Sequence, residues 1–227
     1  MGVDPGIRTG CKIVIIDKTG KLLDDTVIFP HPPKNDKVGS SRIVQDLINK
    51  YGIEFAAIGN GTYGRETLAF FQETVESVIA GTVPAVLISE SGASIYSASP
   101  LAKEEFPDRD LTVRGAVSIA RRFQDPLAEL VKIDPKSIGV GQYQHDVSQV
   151  KLKKSLGAAV EDCVNYVGVD LNTASAQSLA YVSGIGKSLA ETLVKFRESE
   201  GGFVDRRQLL KAPRFSEKIF EQAAGFL

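Results

Sequence analysis

The chain has 227 residues and a net charge of −1, with 43% hydrophobic and 24% charged residues. This composition is typical of a globular protein and excludes a polycation, so any nucleic-acid binding must come from local patches or backbone donors. No apolar run is long enough to span a membrane, and the two cysteines, Cys11 and Cys163, form no CxxC motif. We therefore predict a cytoplasmic protein without a membrane partner.

The two ends of the chain have the character of interior sequence. Met1 is the only methionine, and it directly precedes residues 2–4, which have the pattern of the last part of a strand. Residues 225–227 still continue a helical pattern. We expect the chain to be a fragment excised from a longer protein.

Five short runs in the first 90 residues have the composition of buried strands. They are residues 2–4, 11–16, 22–29, 56–58 and 83–88. Helices are predicted after the third, fourth and fifth runs. Ser40 or Ser41 caps the first of them, and the last covers residues 114–132 with an interruption near Pro126. This order predicts an α/β fold in which helices cover a mixed five-stranded sheet.

The junction after the first strand carries a motif. The runs Gly2-Val3-Asp4-Pro5-Gly6 and Thr9-Gly10 resemble the opening of RuvC resolvase and of YqgF-type domains, which have a ribonuclease-H-like fold. Enzymes of this fold hold two divalent metal ions with three or four carboxylates. The resemblance implies an acidic site at the ends of the strands, although an aspartate in such a turn also serves to satisfy backbone amides.

Only part of that acidic site is matched. Asp4 matches the first acid and Glu90 matches the acidic position after the fifth strand, whereas Asn60 stands in the second acidic position. The last acid is expected where Arg114 stands, and Asp125 lies about 16 Å further along a continuous helix. Asp4, Asn60 and Glu90 are therefore candidates for a vestigial site that holds no metal. We expect no cofactor, and Mg²⁺ is implied only if the chain is a nuclease.

Residues 131–170 are predicted to be a helical connecting segment. His145 and Asp146 suggest catalysis, but no serine or cysteine nucleophile with a supporting motif is adjacent, so we favour a structural loop with strand-like ends. The basic residues 151–154 begin an amphipathic helical segment. Their lysines either contact phosphate or form a solvated helix face, and both interpretations stay open.

The turn at residues 182–186 is the stretch that indicates most about function. Gly184 and Gly186 permit a tight turn without a covering side chain. The helix predicted at residues 187–199 then presents its unpaired N–H groups and its positive dipole end to solvent. This geometry is suited to binding a phosphate without reading a base.

The turn belongs to a larger pattern. A helix at residues 173–181, capped by Asn172 or Thr173, precedes it. A weaker second copy has its first helix, turn and second helix at residues 205–211, 212–216 and 217–226. Together they resemble the tandem helix-hairpin-helix module, a small all-α domain that binds nucleic acids. The residues that this resemblance implies as nucleic-acid contacts are Ser183, Gly184, Ile185, Gly186, Lys187, Arg214 and Ser216.

Five longer runs resemble the Tex family of bacterial transcription accessory proteins. They are residues 3–10, 94–99, 121–130, 138–147 and 168–175. The resemblance implies a central fragment with a YqgF-like domain at 1–130, a connecting segment at 131–170 and a tandem helix-hairpin-helix domain at 171–227. It also implies sequence-nonspecific binding to RNA or DNA, with other domains of the full-length protein and the transcription machinery as further partners. A metal-dependent RuvC-like nuclease and a structural hub that packs neighbouring domains are the alternatives.

Overall fold

The computed structural model describes all of residues 1–227 and divides into two compact units, Met1–Glu129 and Leu130–Leu227. The first unit combines a sheet with helices, and the second is helical throughout. None of the helices is both long and apolar enough to cross a lipid bilayer.

The first unit is built on a five-stranded sheet in the order β3-β2-β1-β4-β5. Its strands are β1 (Gly2–Asp4), β2 (Cys11–Ile16), β3 (Leu22–Ile28), β4 (Ala56–Gly59) and β5 (Ala85–Ile88). The first three strands form an antiparallel meander, while β4 pairs in parallel with both β1 and β5. The predicted mixed five-stranded α/β sheet is confirmed.

The last strand begins at Ala85 and not at residue 83 as predicted. Its register with β4 starts at the pair Ala56 and Ala85. Pro84 has no N–H to donate to a ladder, although its carbonyl accepts from Ala56 N at 2.9 Å. Val83 is nevertheless buried, with 4% of its surface exposed. Its apolar character therefore reflects core packing and not strand pairing.

Seven helices follow or connect these strands. They are α1 (Lys37–Tyr51), α2 (Gly64–Thr74), α3 (Glu76–Ile79), α4 (Ala93–Ala98), α5 (Pro100–Glu105), α6 (Leu111–Gln124) and α7 (Pro126–Leu130). Asp36 caps α1 by accepting from Gly39 N at 2.8 Å, so the predicted caps Ser40 and Ser41 are wrong. Gly39, a poor helix former, concealed the true start. Ser40 lies buried within the helix, where its Oγ accepts from Phe29 N at 3.1 Å.

The long helix α6 packs across β1, β2 and β4. It begins at Leu111, about one turn before the predicted start at Arg114, because the Asp110 side chain accepts from Thr112 N and Val113 N, each at 2.9 Å. The interruption predicted near Pro126 is confirmed, since α6 ends at Gln124 and Pro126 opens α7.

Two apolar layers cover the faces of this sheet. The layer shared with α1 and α2 includes Val3, Cys11, Ile13, Ile15, Ile28, Val44, Ile48, Ile58, Phe70, Phe71 and Val75. The layer shared with α6 includes Val14, Val113, Ala116, Val117 and Ala120. A Cβ at Gly2 would lie only 2.6 Å from Ala116 O, so the missing side chain permits the close approach of α6 to β1.

The second unit contains α8 (Pro135–Ile138), α9 (Gln149–Val167), α10 (Ala176–Leu179), α11 (Lys187–Glu200) and α12 (Glu217–Ala223), with 3₁₀ helices at Arg206–Lys211 and Ala224–Phe226. On α9, Val164 is buried and Leu152, Leu156 and Val160 are half-buried, as the amphipathic pattern predicted.

The loop between α8 and α9 contains no strand, so the strand-like ends predicted for it are wrong. Side-chain hydrogen bonds hold it instead, among them the bond from Val140 N to Gln144 Oε1 at 2.9 Å. His145 and Asp146 lie exposed in this loop.

Candidate nucleic-acid interface and acidic strand edge

The first helix of the hairpin region is shorter than predicted. Ser175 caps α10 by accepting from Ser178 N at 3.1 Å, in place of the predicted Asn172 or Thr173. Asn172 serves elsewhere, because its side chain donates to Phe203 O at 2.9 Å and accepts from Phe203 N at 2.7 Å. These two bonds fasten the chain that leaves α11 to the start of the hairpin region.

The two hairpin turns repeat each other, each position recurring thirty residues later. Gly184 and its counterpart Arg214 both have left-handed backbone conformations, with φ of +82° and +67°. The next residues, Ile185 and Phe215, have buried side chains. Their backbone N–H groups close each turn by donating to the carbonyl oxygen three residues earlier, at 2.9 and 3.2 Å. The residues that follow, Gly186 and Ser216, are the N-caps of α11 and α12, with nearly equal φ of −89° and −92°.

Several amides of the first turn are already paired within the chain. Ser183 N donates to Asn165 Oδ1 at 2.9 Å, and Ile185 N donates to Val182 O at 2.9 Å. The N–H groups of Gly184, Gly186, Lys187 and Ser188 are left without an acceptor, and all four residues are exposed. Three of them surround the N-terminus of the 14-residue helix α11. The turn therefore offers unpaired donors at the positive end of a helix dipole.

The two glycines of the first turn have different structural roles. A Cβ at Gly184 would lie 2.9 Å from Oε1 and 3.1 Å from Cβ of Gln222, which is on α12. A Cβ at Gly186 would meet nothing within 4 Å. Gly184 is thus required by its conformation and by packing between the hairpins, and only Gly186 leaves open space in front of the helix.

Cationic side chains from both turns flank these donors. Lys187 is exposed at the start of α11. Arg214 reaches across from the second turn, where its Nη1 donates to Ser188 Oγ at 3.2 Å. In the second turn, Ser216 Oγ accepts from Ile219 N at 3.4 Å, and Glu217 places a negative charge in the first turn of α12. The positive charge is therefore concentrated at the N-terminus of α11.

The predicted acidic residues meet at one edge of the sheet in the first unit. Asp4 ends β1, and the carboxylate of Glu90 lies over the chain at Gly59 and Gly61, where any Cβ would overlap it. Asn60 contributes by accepting from Glu90 N through its Oδ1 at 3.2 Å. Burial and, secondarily, the charge of Glu90 raise the pKa of Asp4 to about 6, while Lys12 opposes this shift.

Gly115 is the residue of α6 that faces Asp4. A Cβ at Gly115 would lie 3.4 Å from Asp4 Oδ2. Arg114, predicted to stand at this position, points its guanidinium at Phe106 O, with Nε and Nη2 at 3.1 and 2.8 Å. Asp125 caps α7, where its Oδ1 accepts from Ala128 N at 2.9 Å. The groups that could bind a metal at the strand edge are thus two carboxylates and one amide, a set that does not fit a two-metal centre. The chain contains no group of three His, Cys, Asp or Glu side chains able to hold a metal.

Arg122 is a contributor to this edge that the sequence did not reveal. It is buried on α6, and its Nη1 donates to Ser89 O and Ser91 O, each at 2.8 Å. The two bonds hold the loop that carries Glu90. Arg122 lies about two helical turns after Gly115 on the same face of α6, a periodic relationship that would have pointed to it.

A second missed feature is a buried chain of polar contacts. His31 Nε2 lies 2.8 Å from Thr67 Oγ1, which in turn lies 3.8 Å from the Cys11 sulfur. The His31 ring also packs edge-on against Tyr63, with ring centroids 5.0 Å apart. Burial raises the pKa of the Cys11 thiol and lowers that of His31. These groups are therefore held neutral and join the loop after β3 to β2 and α2.

The two regions match separate protein families. Residues 1–124 match the family described as "Tex protein YqgF-like domain", and residues 164–227 match the "Helix-hairpin-helix motif". The first match includes the acidic strand edge, and the second includes both hairpin turns.

Whole proteins with similar sequences are known from bacteria and animals. The chain is 57% identical to "Transcriptional accessory protein Tex" of Neisseria gonorrhoeae and 55% identical to "Protein YhgF" of Escherichia coli. It is 44% identical to the human "S1 RNA-binding domain-containing protein 1". Each similarity covers 100% of the chain but only 30%, 29% and 23% of the respective relatives.

Proposed function

The chain belongs to the Tex family, and from this membership and the hairpin geometry we propose that it binds the backbone of RNA or DNA without reading the base sequence. The observation that carries the proposal is the set of unpaired, exposed amides at Gly186, Lys187 and Ser188. Backbone donors at a helix N-terminus contact phosphate oxygens, and phosphate contacts carry no sequence information.

In this proposal the two turns contribute different groups to the bound phosphate. The first turn donates amide hydrogen bonds to a phosphate, and Lys187 and Arg214 supply the positive charge that draws the backbone to it. The pairing of Arg214 with Ser188 supports a single combined contact in preference to two equal ones. In the full-length relatives this contact would serve a transcription accessory factor in the cytoplasm, with the transcription machinery as a further partner.

The first unit acts as a scaffold with a degenerate acidic site in this proposal. Two-metal hydrolysis needs carboxylates that bridge both ions. Asp4 and Glu90 are the two carboxylates at the strand edge. The side-chain oxygen of Asn60 already accepts a hydrogen bond from Glu90 N and so holds the Glu90 loop.

The direct test replaces Gly186 with aspartate. Gly186 has open space and an extended backbone, and aspartate is a favoured N-cap, so Gly186→Asp preserves or slightly raises helix stability. Its carboxylate occupies the amides and repels phosphate, so affinity for RNA and DNA falls by about tenfold or more. Gly186→Ser is the matched neutral control, since serine occupies the same position in the second turn.

Binding is measured by fluorescence anisotropy across a salt series with RNA and DNA of several sequences. The same loss is expected for each sequence, together with an unchanged melting temperature. A folded Gly186→Asp variant that binds as tightly as the parent would leave the hairpins a role in domain packing, and the structural-hub alternative would replace the proposal.

A further inference from the structure

The loop of residues 139–148 is ordered by side-chain hydrogen bonds against the start of α9. Gln144 accepts from Val140 N at 2.9 Å through Oε1 and donates to Lys136 O at 3.3 Å through Nε2. Gln149, in the first turn of α9, donates to Gln144 O at 2.9 Å and to Val147 O at 2.8 Å. These hydrogen bonds hold the loop against the first turn of α9.

This fixed loop turns its largest apolar groups outward. Tyr143 is 68% exposed, Val147 is 50% exposed, and Val150 on α9 is 81% exposed. Aromatic rings bury a large area when they pack, so an ordered loop that leaves a tyrosine in water forgoes substantial stabilisation. Such a ring is available to a partner that supplies a flat apolar face.

The start of α9, the helix that follows this loop, is positively charged. Residues 139–160 contain three lysines, Lys151, Lys153 and Lys154, and a single acid, Asp146, although the chain as a whole has a net charge of −1. Val150, Lys151 and Lys154 lie on the side of α9 opposite the half-buried Leu152 and Leu156. The first turn of α9 has neither an acid nor a side-chain cap, so the helix dipole adds to the positive potential.

We propose that Tyr143 and the Lys151/Lys154 face of α9 form a binding surface for single-stranded nucleic acid. The tyrosine stacks on an unpaired base, and the two lysines contact the flanking phosphates. Charge complementarity selects a polyanion, and the outward ring selects one with accessible base faces. An acidic peptide would satisfy the lysines but would leave the ring without a stacking partner. The surface is separate in sequence from the hairpin turns and does not depend on their binding phosphate.

The test compares a single-stranded oligonucleotide of about 12 nucleotides with a blunt duplex of the same length. In Tyr143→Ala the affinity for the single strand falls about fivefold to twentyfold, while the affinity for the duplex is unchanged, because paired bases are not available for stacking. Tyr143→Phe keeps the parent affinity. Tyr166→Ala is the matched control, since Tyr166 is 93% exposed at the other end of α9 and should bind like the parent.

The lysines are tested by the salt dependence of binding. Lys151→Gln combined with Lys154→Gln should lower the slope of log affinity against log salt by about 1.4 for the single strand, at about 0.7 per phosphate contact. Gly186→Asp, by contrast, lowers the affinity for single strand and duplex alike. Failure of the hairpin proposal and failure of this one can therefore be told apart.

Three results would overturn the proposal. Tyr143→Ala could bind the single strand as tightly as the parent. The variant could instead lose affinity for the single strand and the duplex equally, which would show that Tyr143 does not stack on unpaired bases. Poly-glutamate could compete for the surface in a lysine-dependent way while the single strand does not, which would make it a docking site for acidic protein segments. Thermal unfolding confirms beforehand that the exposed substitutions leave the fold intact.

Discussion

Gly184 illustrates how one residue fixes the arrangement of the hairpins. Its φ of +82° is costly for any residue with a Cβ, and Gln222 occupies the space that a side chain would need. We expect Gly184→Ala to lower the free energy of unfolding by about 1–3 kcal/mol, whereas Gly186→Ala should change it by less than about 0.5 kcal/mol. Urea denaturation followed by circular dichroism measures both variants. Equal losses for the two would show that packing against Gln222 is not the constraint.

Asp4 makes the stability of the first unit depend on pH. Burial raises the pKa of the Asp4 carboxyl to about 6 in the folded chain, compared with an ordinary value of 3.8. Between these values the folded state binds more protons than the unfolded state, so stability falls as pH rises through the window from about 4 to 6. Asp4→Asn should therefore stabilise the protein at pH 7 by up to about 3 kcal/mol and have little effect below pH 4.

Denaturation at pH 7 and at pH 3.5 tests this prediction. Asp108→Asn is the control, because Asp108 is exposed. A stabilisation that is the same at both pH values would show that the gain comes from the amide and not from removal of the charge.

The acidic edge also shows the limit of sequence reasoning about single residues. Asp4, Asn60 and Glu90 could be placed together because parallel strands end at one edge of a sheet, and the structure brings them together. The facing residue of α6 could not be placed, because successive helical residues differ by about 100° in direction. An error of one position exchanged Gly115, which faces Asp4, for Arg114, which points to Phe106.

Among the elements, α6 depends on its cap. Asp110 satisfies two of the N–H groups at the helix start and positions the face that carries Gly115 and Arg122. Asp110→Ala should cost about 1 kcal/mol in unfolding free energy. Asp108→Ala, two residues before the N-cap Asp110, should be neutral. If both changes had the same effect, loss of surface charge and not loss of the cap would be responsible.

Element boundaries were predictable where local chemistry is unambiguous. The strand at residues 11–16, the stop before Pro126 and the start of α11 after Gly186 were all recognised from β-branched runs, proline and glycine. The short elements were predicted unevenly. The helix predicted at residues 173–181 is only the four-residue α10, whereas the helix predicted at 205–211 is present as the 3₁₀ helix Arg206–Lys211. Such pieces are held by tertiary contacts, so periodicity alone cannot set their limits.

For the molecule as a whole, we expect no Mg²⁺- or Mn²⁺-dependent cleavage of linear or branched nucleic acid. The strand edge offers Asp4 and Glu90 with an amide at Asn60, where two-metal enzymes use three or four carboxylates. Incubation with labelled substrates and either metal measures this. Cleavage that disappears in Asp4→Ala would restore the nuclease alternative.

The contacts between the hairpins have a geometric consequence. Gly184 lies against Gln222, and Arg214 reaches Ser188, so the two turns move as one body. The amides at the start of α11 and the Arg214 guanidinium therefore keep a fixed relative position, and this single combined contact fits only certain local shapes of the phosphate backbone. A-form and B-form duplexes differ in groove width, so they present differently shaped backbones to the same contact. Preference between RNA and DNA duplexes would then arise from the shape of the double helix, and an A-form DNA·RNA hybrid should be bound like duplex RNA.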